Sequence, residues 1–453
     1  MGKNAKLGDI AAGRVSSAEA AQNLGDLHPL YTDHQASAEA DRCLYCYDAP
    51  CMTACPTSID VPLFIRQISS GNTKGAATTI LEQNIMGGMC ARVCPTETLC
   101  EQVCVRNDSE NKPVKIGRLQ RYATDHLMRS GDAVFNRAPE TGKSVAVIGG
   151  GPAGLSCAHA LSRNGHSVVV YDARDKLGGL NEFGIAAYKT VDNFAQREVD
   201  FIVGLGGIEI KTGQQLGDNI TLETIRKAHD AVFLGIGMGG VNALGMDGED
   251  SAGVLDAVDY IADLRQANDP SKIPVGRRVV VIGGGMTAVD IAVQSKLLGA
   301  EDVTIAYRRG KEQMNASAFE QELAQTNGVK IQLWSAPVKL QTEGNTLTAI
   351  EFARTHLSPA GKLELSDEHF TIEADVVFKA IGQKVETDAL TGAEEPISVD
   401  AGRIVVDANR KTNLEDVWAG GDCIVGGEDL TVAAVEDGKI AANSIHQHLQ
   451  QGA

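Results

Sequence analysis

Eight of the ten cysteines in this chain lie between Cys43 and Cys104, and any fold for it must bring these thiols to a common purpose. The run reads Cys43-Leu-Tyr-Cys46, Cys51 and Cys55-Pro56, then Cys90, Cys94-Pro95, Cys100 and Cys104. Its first half, C-x2-C-x4-C-x3-C-P, has nearly the spacing of a ferredoxin motif. Closely spaced cysteines wrap one cube of iron and sulfide, and the cysteine before the proline turns away to serve a second cube. Both halves carry a Cys-Pro step, so two interlocked clusters are expected, each half lending a ligand to the other. Structural zinc is the rival reading, because paired C-x2-C units also build four-cysteine zinc sites. A disulfide framework is disfavoured, since cysteine is sparse elsewhere and the opening MGKNAKLGDIAAGR has no apolar signal segment. A thioredoxin-like pair at Cys43 and Cys46 would lack its usual strand and helix.

With 453 residues, the length suits about three domains. A net charge of −18 argues against nucleic acid, which needs a basic face, and favours basic partner surfaces. No window approaches the apolar length of a membrane span, and Lys6 stands where a myristoylation motif wants Ser or Thr, so a cytoplasmic location is expected.

Residues 1–42 are polar and Ala-rich, with a helix predicted over Ala36 to Asp41. Between the cysteine runs, Leu63, Phe64, Ile65 and Ile68, then Ile80 and Leu81, are spaced for two helices broken at Ser-Gly-Asn. IGRLQRYATDHLM reads as another helix, with Ile116, Leu119, Tyr122 and Leu127 near one side. Pattern alone treats Gln120, within it, as a solvated helix residue. Helices linked by cysteine loops make an all-α domain that ends around Pro139.

The texture then changes. KSVAVIGGGPAGLSCAHALSRNGHSVVVYDAR is strand, glycine turn, helix and strand, with Gly149, Gly151 and Gly154 as G-x-G-x-x-G and Asp172 23 residues after Gly149. The first glycines let backbone approach a pyrophosphate at a helix N-terminus, the third lets helix and strand pack, and the acid suits ribose hydroxyls. RRVVVIGGGMTAVDIAVQSKLLGAEDVTIAYRRG repeats the unit with Gly283 and Gly285, and with Ala288 at the third glycine position. Its second strand ends in Tyr307-Arg308-Arg309, followed by Lys311, where the first copy has an acid. Arginine there suits a 2′-phosphate and favours NADPH; a solvated basic turn is the plainer alternative. Two apolar strands running into glycine-rich crossings, AVFLGIGMGG and ADVVFKAIGQ, indicate that the second nucleotide domain is inserted into the first. In the closing VWAGGDCIVGGEDLTVAAVEDGKIAANSIHQHL, Asp422 can bond a flavin's ribityl chain. The helix beginning near Thr431 can aim its positive end at the ring system.

Together the eight-cysteine segment, GGGPAGL, GGGMTAVD, YRRG and AGGD resemble the glutamate synthase small-subunit family. CLYCYDAPCMTACPT, ARVCPTETLCEQVC and IGRLQRYATD carry a closer resemblance to the N-terminal half of dihydropyrimidine dehydrogenases and the separate electron-input subunit of the bacterial two-subunit enzymes. The resemblance implies an α + α/β chain. An all-α double iron-sulfur domain would span 1–138, and an FAD-binding domain would be split over 139–241 and 383–453. An NAD(P)H-binding domain would occupy 242–382.

It further implies one four-iron cluster on Cys43, Cys46, Cys51 and Cys104. The other would sit on Cys55, Cys94, Cys100 and the amide oxygen of Gln120, with Cys90 a spare packed thiol. FAD would meet Val93, the turn through Gly149, Gly151, Ala153 and Gly154, and Asp172, Gly179, Leu180, Gly421, Asp422 and Thr431. Lys189 stands at the family's flavin-contacting arginine. The nicotinamide nucleotide would use Gly284, Gly285, Met286, Thr287, Arg308, Arg309 and the Ala380, Ile381, Gly382 crossing; Asn315 replaces a third arginine used on the 2′-phosphate, so the choice of NADH or NADPH stays open.

The expected activity is an oxidoreductase that passes electrons from NAD(P)H through FAD and two [4Fe-4S] clusters. Its acceptor would be an FMN-containing partner subunit that reduces uracil or thymine, in a heterotetramer. With no barrel or FMN motif in the chain, uracil reduction by this chain alone is not expected. A glutamate synthase-like oxidoreductase serving another acceptor is the alternative.

Overall fold

A computed structural model describes residues 9–392 and 395–451, and the fold divides into two compact units. One holds His28–Glu182, Asp192–Gly240 and the chain from Lys384 onward. The other holds the described residues up to Leu27, the short segment Phe183–Val191, and Val241–Gln383.

In the first unit the cysteines are carried by short helices. Val61–Ser69 buries Val61, Phe64, Ile65 and Ile68 on one side, and Asp60 caps it by accepting from the Leu63 amide at 3.0 Å. Thr73–Gln83 buries Ala76, Ala77, Ile80 and Leu81 under an Asn72 cap. Ile116–Ser130 buries Ile116, Leu119, Ala123 and Leu127 and ends at Gly131 in the left-handed conformation. These helices close over one core. A parallel five-stranded sheet follows in spatial order Val417–Ala419, Ala231–Leu234, Ser144–Ile148, Ser167–Tyr171 and Ile208–Lys211. Apart from the exposed edge strand Ile208–Lys211, its strands are largely buried on both faces, because helices Pro152–Arg163 and Thr431–Gln451 cover one side and Leu222, Ile225, Leu390 and Ile404 pack on the other.

The second unit repeats the design. Val254–Asp256, Val376–Lys379, Arg278–Ile282, Asp302–Ala306 and Lys330–Gln332 form a parallel sheet in that order. Between its last two strands in sequence lies an antiparallel meander, Ser335–Glu343, Thr346–Leu357 and Leu363–Glu373. The chain thus has an all-α cysteine segment followed by two nucleotide-binding folds, the second interrupting the first.

The grouping differs from the sequence division in three ways. The described residues up to Leu27, expected in the helical domain, belong to the second unit: Ala11 pairs with Val275, Ser17 donates to Asp269, and Leu24 joins the core. Phe183–Val191 also belongs there, with Ala186 and Tyr188 buried. The cysteine helices and the first nucleotide fold share one compact unit, because Ile85 and Met86 join the sheet's core and helix Phe194–Val203 packs on Gly87–Val93. Among the described residues no helix is long and apolar enough to cross a membrane.

Candidate functional site

Cys43, Cys46, Cys51 and Cys104 line one cavity with Leu44, Val61, Ile65, Val105 and Ile116, about 380 Å³ counted out to its open mouth. Burial pushes the Cys51 thiol up to about 12, and repulsion from Cys43 and Cys104 adds to it. Burial likewise raises Cys43, against a bond from the Tyr45 amide and with repulsion from Cys46 and Cys104. Cys55, Cys90, Cys94 and Cys100 make a second group. Cys94 is raised first by its hydrogen bond with Cys90, then by burial and by the charges of Cys90, Cys100 and Cys55. Cys100 is raised by burial, then by Glu101, Cys55 and Cys51. Thiols that mutually oppose ionisation in apolar surroundings call for a cationic centre to hold them as thiolates. Four cysteines around one cavity form a donor set that fits sulfur-ligated iron. Among the described residues no three His, Cys, Asp or Glu side chains converge on a single-ion site. A lone tetrahedral zinc would hold its sulfurs about 3.8 Å apart, from Zn–S bonds of about 2.3 Å.

Gln120 is 8% exposed, not solvated as pattern alone suggested. Its Nε2 donates to the Gly87 carbonyl at 2.7 Å, which orients the amide and leaves the oxygen as the end able to ligate. Gly87 opens the short helix Gly87–Val93, whose last residue is Val93 and whose C-cap is Cys94. Three buried groups that sequence could not single out fix this helix. Glu198 accepts from the Gly88 amide at 2.7 Å and the Met89 amide at 3.2 Å. Arg92 donates to both Asp125 oxygens at 2.8 Å and to the Gly88 carbonyl at 2.9 Å, while its guanidinium lies 3.4 Å over the Phe194 ring. Burial pushes Glu198 up to about 8 in spite of the amides it accepts. The only sequence signal here is Gly87-Gly88: a Cβ on Gly88 would fall 2.4 Å from the Phe194 ring.

The first phosphate-type turn stands at the carboxyl end of Ser144–Ile148. Gly149 has φ +99, and a Cβ there would lie 2.2 Å from the Gly235 carbonyl oxygen. Gly151 is the N-cap of Pro152–Arg163 with no side chain capping it, and a Cβ on it would meet only Gly179 at 3.8 Å. That open space before orphan helix amides suits a phosphate. Asp172 accepts from the Gly150 amide at 2.7 Å and the Arg174 amide at 2.8 Å; burial still raises its carboxyl. Gly421, at φ +87, lies against the starts of both covering helices, 3.3 Å from Ala153 and 3.9 Å from Ala434 measured from its would-be Cβ. Asp422 beside it is pushed up to about 6, by burial first and Asp429 next. Thr431 donates to Asn181 at 2.8 Å, next to Leu180 and Gly179 in the chain. These residues would hold FAD.

In the second unit, Gly283 at φ +150 packs on the Ala380 carbonyl, 2.2 Å from a would-be Cβ, and Gly284 packs on the Tyr307 ring. Gly285 is the N-cap of Met286–Leu297, again with no side-chain cap and with nothing within 4 Å of a Cβ. Met286 and Thr287 begin that helix half-buried, and Ile381 and Gly382 are tied to Asn242 by bonds of 3.3 and 3.2 Å. Arg308 and Arg309 are exposed at the strand end. These residues would hold a nicotinamide dinucleotide. Lys189, at the expected flavin-contacting position, is engaged by two carboxylates. It lies in the second unit, buried, with its ammonium 2.7 Å from Asp290 and 2.8 Å from Glu320, and Asp290 also accepts from Tyr188 at 3.1 Å. The two carboxylates raise its pKa against burial and engage the charge an arginine would have offered a flavin.

Residues 143–438 match the family described as pyridine nucleotide-disulphide oxidoreductase, and residues 20–132 the one described as dihydropyrimidine dehydrogenase domain II, 4Fe-4S cluster. The chain is 36% identical over 429 residues to the NAD-dependent dihydropyrimidine dehydrogenase subunit PreT of Salmonella typhimurium, covering 94% of this chain and 98% of that one. It is 34% identical over 447 residues to the glutamate synthase [NADPH] small chain of Escherichia coli, covering 94% of each. The crystal structure of T. acidophilum thioredoxin reductase shares the fold, with a TM-score of 0.52 at 22% identity over 67% of this chain and 98% of that one.

Proposed function

Because the chain belongs to the pyridine nucleotide-disulphide oxidoreductase family, in the group that joins this fold to an N-terminal 4Fe-4S domain, we propose that it is the electron-input subunit of a two-subunit dihydropyrimidine dehydrogenase. It would oxidise NAD(P)H and deliver electrons to an FMN-containing partner that reduces uracil or thymine, in a heterotetramer. The observation that carries the reading is that one compact unit holds both a flavin-type phosphate turn and two sets of clustered, half-buried cysteines, four of them lining one cavity.

FAD would supply hydride acceptance and release of single electrons, and two [4Fe-4S] clusters their onward conduction. The chain's own residues bind and orient. Gly151 and Gly285 clear space before helix amides for two pyrophosphates, Asp172 fixes the first turn, and Asp422 offers a half-buried carboxyl to the ribityl chain. Val93 and Cys94 are adjacent on one helix end, so a flavin contact and a cluster ligand share one rigid support. Arg308 and Arg309 favour NADPH by charge, whereas the PreT name points to NADH. The free cysteines suit a reducing compartment, and a cytoplasmic location is proposed.

Leu44, Tyr47, Leu63, Val103 and Val105 are exposed apolar side chains around the first cysteine set. They support docking of the partner there, where electrons would leave. The likeness to the glutamate synthase small chain sustains a second reading, in which another large subunit accepts the electrons. The test is reconstitution: the isolated chain should reduce a dye with NAD(P)H but reduce uracil only with an FMN-containing partner. Uracil reduction by the chain alone, or co-purification with a glutamine amidotransferase instead, would overturn the reading.

A further inference from the structure

The second cysteine set holds one more ligand-capable side chain than a four-iron cube needs. Cys55, Cys94, Cys100 and Gln120 make four, and Cys90 is a fifth. Gly87, Cys90 and Cys94 are spaced i, i+3, i+7 along the helix that ends at Val93, so they share one face. The Cys94 amide donates to the Cys90 carbonyl at 3.0 Å, which carries the helical geometry through to Cys94. That same face meets Gln120, whose Nε2 is anchored on the Gly87 carbonyl at 2.7 Å. Cys90 is 2% exposed and sits one helical turn before Cys94, the C-cap residue. The other two cysteines outside the ligand sets differ. Cys423 turns its thiol to the Gly420 carbonyl at 3.3 Å, and Cys157 is packed in the apolar core of the first nucleotide fold. Cys90 alone among these three stands one turn from a ligand, on the face that anchors the amide ligand.

We propose that Cys90 is a reserve ligand of the second iron-sulfur site: the Gln120 amide oxygen holds the fourth iron at rest, and the Cys90 thiolate takes that iron when the oxygen is withdrawn. This rests on the two-cluster reading above. In the exchange an iron–oxygen bond breaks, an iron–sulfur bond forms, the thiol proton passes to water, and no electron moves. A neutral donor is replaced by an anionic one, so the site gains one negative charge and becomes harder to reduce.

The test uses the full chain purified without oxygen, as wild type, Gln120→Ala, Cys90→Ser and the double variant, with iron, sulfide and FAD measured together. Wild type and both single variants should hold about eight irons, as two four-iron clusters require. Gln120→Ala should show one cluster with an altered EPR signal and a lower midpoint potential, and Cys90→Ser should match wild type. The double variant should fall to about four irons with FAD retained. A fall to about four irons in Gln120→Ala alone, a loss in Cys90→Ser alone, or a double variant that keeps eight would overturn the assignment. Wild type without iron would instead overturn the underlying two-cluster reading, and this one with it.

Discussion

Replacing Gly285 by alanine should separate nucleotide binding from folding. Its φ of −95° and ψ of −179° are open to any residue, and a Cβ would have nothing within 4 Å. Exchanging glycine for alanine at an N-cap costs roughly 0.5–1 kcal/mol, offset by about 0.4–1 kcal/mol from the less flexible unfolded chain. Net stability should therefore move by less than about 1 kcal/mol, or a few degrees in Tm. The methyl group would occupy the space that a dinucleotide phosphate needs to reach the helix amides. Loss of one charge-assisted hydrogen bond costs about 1.5–3 kcal/mol, which raises Kd about 10- to 150-fold. The assay is dye reduction against NAD(P)H concentration, with FAD content and Tm measured on the same samples. The KM for the nucleotide should rise while FAD and Tm hold. Gly283→Ala is the contrasting case: its Cβ would strike the Ala380 carbonyl oxygen at 2.2 Å, so that variant should lose stability outright. Unchanged nucleotide binding in a well-folded Gly285→Ala would refute the phosphate cradle.

Arg308→Asp should weaken NADPH at least tenfold more than NADH, since about 1.4 kcal/mol of lost attraction already gives that ratio; equal losses in KM for both would remove the 2′-phosphate role. Glu198 has a folded pKa of about 8 against an ordinary 4.5. Folding therefore takes up a proton between those values, and stability falls as pH rises through that window. At about 1.4 kcal/mol per unit the effect is of the order of 5 kcal/mol. Glu198→Gln keeps an oxygen for the Gly88 amide without the charge, so its Tm should gain on wild type between about pH 5.5 and 8.5; a constant difference would contradict the buried-acid account. Tyr47→Asp, at a fully exposed position, should leave dye reduction intact and slow electron delivery to the partner; an unchanged coupled rate would move the docking face elsewhere.

The parts of this protein that lie on a repeated local pattern were legible in the sequence. Each nucleotide fold announces itself through a glycine turn, flanking apolar strands and a helix, all within about thirty residues. The cysteine sets were legible because ligand reach constrains spacing. The antiparallel meander was overlooked although Thr342-Glu-Gly-Asn345, between two runs of alternating apolar residues, is a hairpin signature. The attachment of the N-terminal residues to the second unit was not legible, since it rests on single contacts such as Ala11 with Val275, across 264 positions. Nor were Glu198, Arg92 and Asp125: a buried charge looks like any other charge in sequence, and only packing shows that it has a partner. Lys189 followed family position toward a flavin, while Asp290 and Glu320, remote in sequence, decide where its charge goes.

The central claim is that one chain takes electrons from a nicotinamide nucleotide and conducts them through iron and sulfur. The most direct measurement is the visible spectrum of oxygen-free protein, with iron, sulfide and FAD analysis, before and after addition of NADH and NADPH in turn. The account predicts brown protein with about eight irons, eight sulfides and one FAD per chain, bleached in flavin and cluster bands alike by at least one nucleotide. Protein without iron, or iron-loaded protein whose cluster bands neither nucleotide bleaches, would contradict it.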